Sequence, residues 1–382
     1  MKSKDPNLFF FFPLASIGGA ERVHLDVLQA LDSFQKEIFI RYRFNPWKGE
    51  AFKQSKEAKK EGVQLLPEFK RYGKVSFVSK FLEPARFGRI VSFFYIRWLA
   101  RRINNSANPV VIFWHRESIE FLWPYLKSHV KILDIVHNNS NNLRPDPSYL
   151  VNDWVPRLQQ RVLVSAGLMD WILPLYASAQ FESTFQNRIQ IIKHRVKFPL
   201  SFPTKTETGL LNVLFNGRDS EAKRFNLVLD IAEHFADNEA IHFTFVGPDP
   251  KIYPQRIFPN CTWMGSVSDH GIIDELYQNM HVLLMTSSVE GFPLTIAESM
   301  AYGCIPLVTP VGDIKNMLSH EKNALFTETE KCVEETVLIL NSLSTNPEQM
   351  RVLSKNAYLY AKENFDSNRF NREWQSLIQS LG

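Results

Sequence analysis

The chain has 382 residues, a formal net charge of +4, 45% apolar and 22% charged residues, and 30 phenylalanines. This length exceeds one ordinary core and implies two domains, the composition excludes disorder, and the mild charge does not by itself imply nucleic acid. The cysteines Cys261, Cys304 and Cys332 form no Cys-x-x-Cys pair or metal spacing, which argues for a reducing compartment. The first apolar run, residues 8–12, is too short to span a bilayer and lacks a signal-peptide cleavage pattern. No other run is long enough, so the expectation is a cytoplasmic chain, with a peripheral place on the inner face of the membrane left open.

Residues 7–12 read as a buried strand, followed by a loop containing Gly18 and Gly19 and a helix over about 20–31. Glycines ahead of a helix N-terminus let the backbone approach a phosphate or a sugar, although a tight turn explains the pair as well. The dinucleotide fingerprint Gly-x-Gly-x-x-Gly is missing, which argues against a nicotinamide enzyme. Residues 37–42 form the second expected strand. Between Lys70 and Arg102 stand nine lysines and arginines and one acid, Glu83, interleaved with Phe77, Phe81, Phe87, Phe93, Phe94, Tyr95 and Trp98. Two readings stay open: a surface for an anionic leaflet, or a solvated helix whose aromatic side packs on the sheet. A nucleic-acid face ranks third because no recognised module accompanies it.

Residues 110–114 and 131–136 are expected strands, ending at His115 and His137. Ligands of open α/β sheets collect at the carboxyl ends of strands, so both histidines are placed to face one. Residues 161–165 and 171–178 complete a first domain over 1–198, and the proline-bearing stretch 198–205 is the expected linker. The pattern then restarts: a strand over 211–215, a loop over 216–220, and an amphipathic helix over 222–235. Arg218 and Lys223 put two cations beside that helix N-terminus, a natural seat for a diphosphate. Strands follow at 242–246, with Gly247 as a turn, and at 262–267, then a helix over 274–278.

The most informative stretch comes next. The apolar run 282–285 reads as a buried parallel strand. A loop with Glu290, Gly291, Phe292 and Pro293 follows it, then a short helix over 294–302 carrying Glu298 and stopped by Gly303. Strand, loop and helix start aim backbone N–H groups at an anion, and two ionised carboxylates near one site suit sugar hydroxyls. Residues 305–309 form a further strand, and 352–364 and 368–381 are terminal helices.

The string Glu290-Gly-Phe-Pro-Leu, Glu298-Ser-Met-Ala, Gly303-Cys-Ile-Pro-Leu-Val, with Gly18-Gly-Ala-Glu-Arg-Val23 and Gly217-Arg218 plus Lys223, resembles retaining glycosyltransferases of the GT-B fold, family 4. That resemblance implies two Rossmann-like α/β domains facing across a cleft, 1–198 for the acceptor and 206–365 for a nucleotide sugar, with a C-terminal helix over 366–382 returning to the first. It implies that Glu298 accepts the ribose hydroxyls and Glu290 the sugar hydroxyls. Gly291, Phe292 and Leu294 would offer backbone N–H groups to the donor, which Pro293, lacking one, would border, and Ser266 and Val267 would cradle the base. Gly18, Gly19 and Gly217 would border the donor diphosphate that Arg218 and Lys223 hold, and His137, which matches better than His115, would touch the donor sugar. It further implies a glycan or lipid-linked acceptor in polysaccharide or lipopolysaccharide synthesis, with no nucleic-acid partner. No cofactor beyond the nucleotide-sugar co-substrate and no metal is expected; no Asp-x-Asp motif stands near a strand end. The usual Pro-Asn-Gly turn near the linker is missing, which blurs the boundary. A sugar-nucleotide epimerase or phosphorylase, and a silent nucleotide-binding partner, remain alternatives; sugar, base, acceptor and linkage are not readable.

Overall fold

The computed structural model describes residues 5–15, 19–42, 63–78, 88–114, 119–137, 151, 154–181, 183–205, 209–267, 269–291 and 293–382. The chain divides into two compact units, residues 1–194 with 368–382, and residues 195–367.

The first unit holds β1 (Asn7–Phe12), α1 (Gly19–Ala30), β2 (Lys36–Ile40), α2 (Leu66–Tyr72), β3 (Lys74–Phe77) and α3 (Gly88–Asn104). After these come β4 (Pro109–Trp114), β5 (Lys131–Val136), β6 (Gln160–Leu163), α4 (Ala166–Ser178) and β7 (Ile189–Ile191). Its strands are parallel in the order β3-β2-β1-β4-β5-β6-β7. A central parallel strand is covered on both faces and so reads as a continuous apolar run. In β1, Phe9 and Phe11 join a core with Phe39, Val111 and Phe113. Phe12 points the other way, onto His24 of α1 and Phe69 of α2. Strands β3 and β7 were not expected: they are edge strands of four and three residues with half-exposed side chains, which leave no apolar run to read.

The second unit holds β8 (Leu211–Asn216), α5 (Phe225–His234), β9 (Ile241–Val246), β10 (Cys261–Gly265), α6 (His270–Asn279), β11 (Val282–Met285) and α7 (Leu294–Ala301). It continues through β12 (Ile305–Val308), α8 (Ile314–Met317), β13 (Leu325–Phe326), α9 (Cys332–Thr345) and α10 (Pro347–Asn364). The order β10-β9-β8-β11-β12-β13 is again parallel, with two separate apolar clusters built on this sheet. The helix expected over 222–235 is instead a 3-10 turn, Glu221–Lys223, then Arg224 in the left-handed region, then α5. The last helix, α11 (Ser367–Ser380), packs in the first unit: Trp374, Leu377 and Ile378 are buried, and Gln375 Nε2 donates to Ala30 O at 2.9 Å.

In each sheet the strand order reverses beside the first strand, between β1 and β4 and between β8 and β11. Ligands of such sheets bind outside the carboxyl ends at that point. No helix among the described residues is long and apolar enough to cross a membrane.

Candidate functional site

At the switch point of the second unit, two loops are tied into one structure. Gly217 follows β8 and donates to Val246 O at 3.1 Å. Gly247, at φ +112°, lies so close that a Cβ there would stand 2.0 Å from Gly217 O, so only glycine fits. Arg224 adopts φ 47°, ψ 48°, the left-handed region that residues with a Cβ rarely visit, and its surroundings over-determine that state. Its guanidinium donates to Thr286 O at 2.5 Å and Thr329 O at 3.0 Å. Thr286 Oγ1 in turn donates to Lys223 O and Arg224 O, and Ser288 N to Ala222 O.

The consequence of this stitching is a salt bridge. Lys223 Nζ meets Glu290 Oε1, and Ser287 Oγ donates to the same oxygen at 2.6 Å. The lysine and glutamate side chains are only 20% and 11% exposed, and shelter from water strengthens both their attraction and any contact they make with a ligand. From the far side, Gly312 at φ +59° presses on the same loop: a Cβ there would stand 1.8 Å from Glu290 O. Thr309 Oγ1 donates to Ser287 O at 2.5 Å.

Helix α7 starts after Pro293, which caps it in extended conformation, and Gly303 at φ +72° ends it. Glu298 accepts a hydrogen bond from Tyr277 OH at 3.3 Å, and Asn216 Nδ2 donates to that phenolic oxygen at 2.9 Å. Burial, followed by the Glu298 charge, holds the Tyr277 hydroxyl well above its ordinary pKa, so it stays a neutral donor that orients the carboxylate. Thr295 Oγ1, in the first turn of α7, is out of solvent and has no hydrogen-bond partner among the described residues.

Not every expected residue joins this cluster. Gly217, Lys223 and Glu290 come together and Glu298 lies on the adjoining helix, whereas Arg218 is exposed on its loop. Ser266 is exposed and Val267 half-buried just after β10, whose Gly265 O accepts from Gly247 N at 2.7 Å. Gly291, Pro293 and Leu294 follow in the β11–α7 loop and the start of α7. Gly19 is the first residue of α1; Gly18, His115 and Phe292 lie outside the described residues.

His137 belongs to the first unit, at the carboxyl end of β5. Its ring stacks on Trp114 with centroids 3.1 Å apart and faces His194 at 5.5 Å, while His24 lies edge-on to Trp114 at 3.7 Å. His194 is pushed down to about 4 by burial and then by the Arg369 charge. The sequence reading missed Tyr277, Ser287, Arg224 and the rings around His137. Gly247, read as a turn after the strand over 242–246, was its one hint of these tight approaches.

Residues 199–360 match the family described as glycosyl transferases group 1. An uncharacterized glycosyltransferase of Haemophilus influenzae is 28% identical over 106 residues, covering 27% of this chain and 29% of that protein. The chain thus spans under a third of that relative's length. Among solved structures, Anabaena Alr3699/HepE in complex with UDP superposes with a TM-score of 0.71 at 13% identity, covering 98% of this chain and 100% of that one. The lipopolysaccharide outer core galactosyltransferase WaaB superposes with a TM-score of 0.68 at 17% identity, covering 98% and 99%. The two-sheet α/β architecture is that of the GT-B fold, and the stretch that matches the glycosyl transferases group 1 family lies within its second unit.

Proposed function

We propose that the protein is a retaining glycosyltransferase that moves a sugar from a nucleoside diphosphate to a glycan or lipid-linked acceptor. The observation that carries the reading is the Lys223–Glu290 pair at the switch point of the second unit, an ammonium and a carboxylate held together beside two helix starts. In the reaction the bond between the sugar's C1 and the β-phosphate oxygen breaks, and a bond from C1 to the acceptor oxygen forms on the same face. The acceptor's proton passes to the departing phosphate, so no carboxylate base stands in line.

Negative charge grows on the β-phosphate as it leaves, and preorganised donors stabilise it most where water is excluded. Lys223, Arg218 and the backbone N–H groups at the starts of α5 and α7 fill that role without a metal. Glu290 accepts the hydroxyls of the transferred sugar, its orientation fixed by Ser287 and Lys223. Glu298 accepts the ribose hydroxyls, with Tyr277 as the residue that positions it. Gly217, Ser266, Val267, Gly291, Pro293 and Leu294 of the second unit line the donor in this reading. The lipopolysaccharide galactosyltransferase among the structural neighbours supports a cell-surface glycan as the product class.

Calorimetric titration with UDP, GDP, ADP, TDP and CMP, on the wild type and on Glu298→Ala, tests this. One nucleotide is expected to bind and to weaken in the variant. UDP is the first choice, since the Anabaena neighbour is described in complex with it. Binding of none of the five, or equal affinity in the variant, would overturn the donor site.

A further inference from the structure

Helix α3 shows two unlike faces. Leu99, Ala100 and Ile103 are buried in the first unit, as a helix covering a sheet requires. The opposite face, however, exposes Ile90 at 71%, Phe94 at 66% and Trp98 at 53%, which recur at four-residue intervals and stand in one row. Val91 and Phe93 flank that row and are also exposed. The reading in which the aromatic side packs on the sheet therefore fails for these residues.

The same face carries cations. Arg97 lies over the Phe93 ring at 4.2 Å and near Tyr125, itself exposed, at 5.5 Å. Arg101 is exposed one turn further on, and Arg102, also exposed, pairs with Glu37 at 2.7 Å. The helix itself contains no acidic residue. An apolar face of this size in water marks an interaction surface.

We infer that α3 docks on an anionic lipid leaflet, with Ile90, Phe94 and Trp98 inserted at headgroup depth and Arg97 and Arg101 on lipid phosphates. Charge complementarity selects this occupant. A leaflet supplies negative charge at every point beneath the helix and needs no matched hydrogen bonds, whereas a protein partner would have to supply carboxylates opposite the arginines. Aromatic rings with arginines between them have the amphipathic character that settles at the boundary of headgroup and acyl chain. The helix lies on the membrane rather than through it, and the inference stands apart from the transfer reaction because binding is measured without donor or acceptor.

The full chain is mixed with vesicles of phosphatidylcholine alone or with about 30% phosphatidylglycerol, then sedimented at low and high salt. Pelleting with the anionic vesicles only, weakened by salt, is the expected result. Phe94→Ser/Trp98→Ser and Arg97→Glu/Arg101→Glu should each cut partitioning roughly tenfold or more. These side chains are exposed, so both variants should keep the wild-type melting temperature. Equal pelleting with neutral vesicles, no pelleting, or unchanged partitioning in both variants would overturn the inference. Light scattering that finds a wild-type dimer, split by Phe94→Ser/Trp98→Ser, would also overturn it and assign the face to a second copy.

Discussion

Lys223 and Glu290 do two jobs that a suitable pair of substitutions separates. Removing one partner leaves a sheltered charge without its counterpart, which costs about 1–3 kcal/mol of stability, whereas removing both avoids that penalty. The double variant Lys223→Ala/Glu290→Ala should therefore melt closer to the wild type than either single variant. Turnover behaves differently, because loss of one preorganised donor to the leaving phosphate costs roughly 2–4 kcal/mol, a factor of about a hundred to a thousand. Initial rates should be low in Lys223→Ala and no better in the double variant. Recovery of rate together with stability would show that the pair holds the loop but does not act on the donor. A second residue, His194, gives the first unit an acid limb. Its folded pKa of about 4 lies below the ordinary 6.5, so between these values the unfolded chain binds the proton and the folded one does not. Stability is full above pH 6.5 and falls toward pH 4, by roughly 2–3 kcal/mol at pH 4.5. Urea midpoints at pH 7 and 4.5 should differ less in His194→Gln than in the wild type, and an equal difference would remove His194 as the cause.

At the scale of elements, the β11–α7 unit holds its register because a neighbouring loop presses on it. Gly312→Ala puts a methyl group where Glu290 O already stands, at a φ that L-residues avoid. The loop carrying Glu290 has to move, so both stability and turnover should fall, stability by more than about 1 kcal/mol. Gly209→Ala is the control: its φ is +75°, but nothing lies within 4 Å of the added atom. Melting temperature may be compared with rate in each, and a Gly312→Ala enzyme with normal turnover would mean that Glu290 tolerates displacement. The sequence made β11, its loop and α7 readable because four apolar residues, a turn and a helix stop follow each other locally. It hid the break at Arg224 because the apolar period runs on through it, and only bonds to Thr286 O and Thr329 O, far along the chain, fix that residue's conformation. The ring stack around His137 was hidden for the same reason: residues 24, 114, 137 and 194 are adjacent only after folding. Short half-exposed edge strands such as β3 and β7 leave no periodic trace at all.

For the whole molecule, the division of the chain makes a prediction about unfolding. Each unit owns its apolar core, and the group 1 match at 199–360 falls inside the second. Helix α11, although last in sequence, belongs to the first unit, where Trp374 is 2% exposed. Two units with separate cores need not melt as one, and a ligand stabilises only the state that binds it. Calorimetry should show two transitions, and the donor nucleotide at a hundred times its Kd should stabilise the second unit by about 2.7 kcal/mol, raising one transition. Trp374→Ala, which removes a large buried ring, should lower the other transition by about 3–5 kcal/mol while the nucleotide-responsive one stays in place. A single transition moved by both changes would mean that the units unfold together, and that the returning helix couples them more strongly than their separate cores allow.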